Sequence, residues 1–109
     1  MGSVIKVVEL SGTFDSSKAK PFRKEINDCL KNGTNIVIVD LKNVSFMDSS
    51  GLGALVLALK SIQAHRGKLL LSSISEPVKM LLELTSMISV FEILSDRAEF
   101  KEYANASIA

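Results

Sequence analysis

Along this chain, short runs of β-branched and apolar residues alternate with stretches in which apolar side chains recur every three or four positions. Residues 4–10 are rich in Val, Ile and Leu and are bounded by Ser11-Gly12, which predicts a strand. Asp15, Ser16 and Ser17 then offer capping oxygens for a helix whose apolar positions Ala19, Phe22, Ile26, Cys29 and Leu30 keep helical spacing. Pro21 falls in or beside the first turn, where a missing N–H costs little, and Asn32-Gly33 closes the helix. Residues 36–41 open with four consecutive apolar side chains, the pattern of a central strand buried on both faces of a parallel sheet. A second helix is expected over residues 50–65, stopped by Gly67, and a strand over 69–71. Ser75-Glu76-Pro77 opens a third helix reaching Leu84, with an early proline and an acidic residue that suits the helix dipole. Residues 91–94 form a last short strand, and Ser95-Asp96 caps a closing helix through Phe100 and Tyr103.

Four strand-to-helix alternations predict right-handed crossovers and an α/β fold with a mostly parallel sheet. In such sheets function gathers beyond the carboxyl ends of the strands, which directs attention to the segment after residue 41. The 109 residues suit a single domain spanning 1–109, and 47% hydrophobic content suffices for its core. No apolar run approaches the roughly 20 residues of a membrane span. The N-terminus lacks a basic stretch followed by an apolar block, so a cytoplasmic protein is expected. A formal charge of +1, with lysines and arginines interspersed among acidic residues, argues against nucleic acid as a direct partner. No Trp and a single Tyr leave no stacking platform for single strands. Cys29, the one cysteine, has no partner for an internal disulfide and is expected as a small buried thiol.

The segment from Asn43 to Gly53 reads as a loop delivering the chain into the second helix. Its core, Asp48-Ser49-Ser50-Gly51-Leu52-Gly53, puts two serines and two glycines at the helix start. Unpaired N–H groups and the positive end of the helix dipole meet there, so a phosphate on Ser50 would be stabilised by roughly 0.3 to 2 kcal/mol. Asp48 would repel the same charge, so a phosphate should be both tolerated and felt. Gly51 and Gly53 each disfavour a helix by about 1 kcal/mol, which points to close approach by another protein. The competing account is an ordinary capping cluster, since Asp and Ser are common N-caps. On a helical projection Leu52, Leu55, Val56, Leu59 and Ile62 share the core face, leaving Ala54, Leu57, Ala58 and Ser61 as a small-residue surface around one large apolar side chain. That surface suggests a partner footprint, although one exposed leucine is in itself unremarkable.

Other chemistry finds little support. His65, the only histidine, lies fifteen residues past Ser50 on the same expected helix, about 22 Å away, and cannot be a base for it. One His and one Cys cannot build a four-ligand zinc site, no acidic cluster has calcium-loop spacing, and Gly51-Leu52-Gly53 lacks the third glycine or lysine of nucleotide loops. No metal, cofactor or enzymatic activity is expected.

Residues 46–55 (Phe-Met-Asp-Ser-Ser-Gly-Leu-Gly-Ala-Leu), preceded by the strand at 36–41 and by Ser11-Gly12-Thr13-Phe14-Asp15, resemble the STAS domain, specifically the bacterial anti-sigma factor antagonists. The resemblance implies a mostly parallel or mixed sheet of four to five strands with alternating helices. It also implies a partner switch. The unphosphorylated protein binds an anti-sigma factor that is also a serine kinase, phosphorylation of the second serine breaks the complex, and a serine phosphatase reverses the change. By position that serine is Ser50. Asp15 matches the family's acidic residue near the phosphosite, though a turn or cap role would equally suit it. Asp15, Asp48, Ser49, Gly51, Leu52, Gly53 and Leu57 are thus the expected partner contacts. The family usually begins with a further short strand, whereas only three residues precede the first strand here, so an exposed sheet edge and a homodimer formed along it are expected. STAS domains also act as scaffolds and as parts of transport systems, which leaves a second possibility open.

Overall fold

The computed structural model describes residues 4–95. Strand β1 (Ile5–Phe14) leads into helix α1 (Ser16–Lys31), followed by β2 (Ile36–Met47), α2 (Ser49–Ala64), β3 (Lys68–Ser72), α3 (Glu76–Leu84) and β4 (Glu92–Leu94). The four strands lie in the order β1-β2-β3-β4, and every neighbouring pair is parallel. The closing helix expected past Ser95 lies outside the described residues.

A sequential parallel order with crossovers of one hand brings all the connecting helices to the same face of the sheet. The main core accordingly joins Phe22, Ile26 and Leu30 of α1, Leu55 and Ile62 of α2, and Val78 and Leu82 of α3 to Val37, Val39, Leu69 and Leu71 of the central strands. Ile36, Ile38, Leu70 and Leu94 form a smaller buried cluster on the opposite face, flanked by Ile5 and Val7. Alternate residues of β2 therefore enter different cores, which is why its apolar run shows no polar alternation.

Two strands run further than their apolar patterns indicate. Strand β1 does not stop at Ser11-Gly12. It continues to Phe14 through register shifts at Glu9/Ser11 and Gly12/Thr13, with Gly12 at a φ of 70°. A left-handed glycine inside a bulge carries the strand past a point that reads as a boundary. Strand β2 likewise continues from Leu41 to Met47, so most of the expected loop is strand. Strand β3 pairs with β2 only as far as Asp40, and beyond it β2 keeps β1 as its partner, ending with Phe14 opposite Met47. The exposed Lys42, Asn43 and Ser45 belong to this projecting two-stranded arm. The Ser75 hydroxyl donates to the Val44 carbonyl at 2.7 Å and ties the start of α3 to the arm.

Helix α1 starts at the first of the expected capping residues, with Asp15 as its N-cap. Because Ser16 is already helical, Pro21 lies inside the helix and beyond its first turn. Its ring nitrogen therefore removes one interior hydrogen bond, that to the Ser17 carbonyl.

A candidate phosphorylation site at paired helix starts

Phe14 and Met47 end adjacent parallel strands in register, and each is followed by a single aspartate and then a helix. The sheet thus sets Asp15 and Asp48 side by side, each as the N-cap of its own helix, and aims two helix N-termini at one end of the molecule. Edge-to-face packing of Phe14 on Phe22, with ring centroids 5.3 Å apart, anchors the first of these starts from beneath.

The Ser17 backbone N–H and the Ser17 hydroxyl both donate to Asp15 Oδ1, at 3.0 and 2.6 Å. The hydroxyl bond leads in holding the Asp15 carboxyl below its ordinary range; slight desolvation opposes it, and the Ser17 N–H and the Lys18 charge add to it. Asp48 accepts from the Gly51 N–H at 3.0 Å, and its carbonyl accepts the first helical bond from Leu52. Ser49 and Ser50 occupy the first two helical positions of α2, and both are exposed. Their N–H groups precede that first helical bond and face outward from the helix start.

The glycines serve different purposes. Gly51 is buried, and a Cβ there would lie 2.2 Å from the Phe14 carbonyl oxygen and 3.0 Å from Met47 Cγ. Its missing side chain lets the first turn of α2 rest on the end of β1, so Gly51 presents no surface of its own to a partner. Gly53 has nothing within 4 Å of the corresponding point and leaves open space three residues past Ser50.

The footprint expected on α2 is narrower than its helical projection suggests. Ala54 and Ala58 are only 2% and 3% exposed, because small side chains let α1 pack closely along α2, with Ile26 beside Ala58. Leu57 remains 46% exposed, Ser61 is half-buried, and Leu52 is half-buried against the core. Phe46, 54% exposed near the end of β2, is a large apolar side chain at this end that the sequence pattern did not single out.

A second feature also escaped the sequence. Lys20, Arg23, Lys24 and Lys31 of α1 line an open hollow with Ser50, in the company of one carboxylate, Asp28. Their spacing marks one stripe of a helix, but nothing in the sequence says that α1 lies beside the start of α2. Charges interspersed along the chain are therefore gathered in space. His65, by contrast, caps the far end of α2, where its Nδ1 donates to the Ser61 carbonyl at 2.9 Å. Cys29 is buried, and burial pushes its thiol up from the ordinary range.

The family model of the STAS domain matches residues 2–100 of this chain. The chain belongs to the STAS domain family. The anti-sigma F factor antagonist of Paenibacillus polymyxa is 28% identical over 90 residues, covering 82% of this chain and 77% of that protein. The crystal structure of a Thermotoga maritima protein assigned to the anti-sigma factor antagonists superposes with a TM-score of 0.81 at 31% identity, covering 91% of this chain and 87% of that one. A sulfate transporter family protein from Wolinella succinogenes shares the fold, with a TM-score of 0.84 at 20% identity over 95% of this chain and 87% of its own. Among the described residues no helix is long and apolar enough to cross a membrane.

Proposed function

We propose that this protein is an anti-sigma factor antagonist controlled by phosphorylation of Ser50, with no catalysis of its own. The unmodified form docks on an anti-sigma factor that is also a serine kinase. That kinase transfers the γ-phosphoryl group of ATP to Ser50 Oγ, releasing ADP and taking up the hydroxyl proton. The modified form leaves, and a serine phosphatase restores it by hydrolysis.

One observation carries this reading: an exposed serine at the second position of α2, on a junction whose aspartates are already engaged as caps. A phosphate there adds about −1.5 to −2 of charge close to free N–H groups and the helix dipole, so the fold can hold it. The same charge lands beside Gly53 and on the approach to Leu57, where a partner would have to pack. Relatives named as anti-sigma factor antagonists support the choice of partner.

Incubation with the cognate anti-sigma factor and ATP, followed by mass spectrometry, tests the assignment. Phosphate should appear on Ser50, and Ser50→Ala should abolish labelling while the complex persists. Labelling at another residue with Ser50 untouched overturns it.

A further inference from the structure

The hollow that Ser50 shares with α1, about 580 Å³, holds four cationic side chains against one carboxylate, Asp28. The ion pairs of the described residues lie elsewhere, at Lys6–Glu25 and Lys68–Glu92, so among those residues Lys20, Arg23, Lys24 and Lys31 make no direct ion pair, and Asp28 is the one carboxylate lining their hollow. Arg23 is the one cation that also lines the adjoining cleft with Leu57, Ala58 and Ser61. Arg23 therefore borders both the hollow that holds Ser50 and the cleft along the middle of α2.

We propose that Arg23, assisted by Lys20 and Lys24, receives the phosphate of modified Ser50 within the same chain. This rests on the reading of Ser50 as the phosphorylated residue and adds where the phosphate goes. A guanidinium offers a planar fork of donors that matches two phosphate oxygens, and it keeps its charge at every pH of interest. The charged groups lining the hollow are Lys20, Arg23, Lys24, Lys31 and Asp28 from α1, with Lys31 at its far end, and those at the helix starts are Asp48 of the α2 cap and Asp15 of the α1 cap. Asp15 and Asp48 are both occupied with N–H donors, which leaves the cations as the free partners. Pairing across α1 and α2 changes two surfaces at once: it places an anion at the start of α2 and cancels much of the basic face of α1. A partner that reads either surface is then refused.

Phosphoserine incorporated at position 50 during synthesis of the full chain makes the test independent of any kinase. Titration of the phosphate followed by phosphorus NMR should place its second ionisation about half a unit lower in the otherwise wild-type protein than in R23Q. R23K should fall between them, and K20Q/R23Q/K24Q should titrate highest. The helix dipole acts equally in all four, so the differences report the side chains alone. Arg23 is exposed, and unchanged amide spectra for β3 would verify the fold of each variant. Superimposable titrations of wild type and R23Q overturn the proposal. Failure of every kinase to modify Ser50 would instead defeat the functional reading and leave these titrations standing.

Discussion

Gly51 and Gly53 occupy one turn of α2 yet answer to opposite constraints. An alanine at 51 must push against a backbone carbonyl that cannot rotate away, so Gly51→Ala should lower stability by about 1 to 3 kcal/mol. Gly53→Ala meets open space and should raise it by up to about 1 kcal/mol through the helix propensity of alanine. Urea denaturation distinguishes the pair, and equal effects would contradict the packing described for Gly51. Asp15 gives a pH-dependent counterpart. Its carboxyl is depressed below 3.8 in the folded protein, so its contribution is fully present above that value and is lost as pH falls through the lower folded pKa. Asp15→Asn keeps a capping side chain but cannot titrate. Its urea midpoint should therefore fall less steeply than that of wild type as pH drops below about 4; parallel curves would contradict the assignment. The capping character of Asp48 and the placement of Ser50 at a helix start were legible in the sequence because caps are local. The reason for Gly51 was not, because the atom it accommodates belongs to Phe14, distant along the chain.

At the scale of elements, what was legible followed continuity of pattern. Helices α1 and α3 and the two-faced part of β2 carry unbroken apolar periodicity, and each lies where that periodicity places it. The ends of β1 and β2 did not read as strand, because the arm they form lacks a second neighbour beyond Asp40 and so tolerates polar side chains. The burial of Ala54 and Ala58 escaped for a related reason: small residues look like a surface until a second helix is laid against them. Strand β3 offers a test of how fully the sheet is satisfied. The Ser72 hydroxyl is completely buried and has no hydrogen-bond partner among the described residues. Ser72→Ala removes that unsatisfied group with almost no change of volume and should stabilise the protein by about 1 kcal/mol. A loss of that size in thermal or urea unfolding would show that the hydroxyl is paired.

For the whole molecule, a formal charge of +1 conceals an uneven distribution. Cations of α1 crowd the hollow beside Ser50, and two helix N-termini point to the same end. A phosphate delivered there meets an environment that accepts negative charge, so modification need not loosen the core lying behind the helix starts. The switch is then a change of surface on an unchanged fold. The sharpest measurement is calorimetric titration of the anti-sigma factor with unmodified protein and with protein carrying phosphoserine at position 50, alongside the urea midpoint of each. At least a tenfold loss of affinity, about 1.4 kcal/mol, with the unfolding midpoint preserved is the predicted result. Equal affinities, or a loss that tracks unfolding of the modified chain, would contradict it.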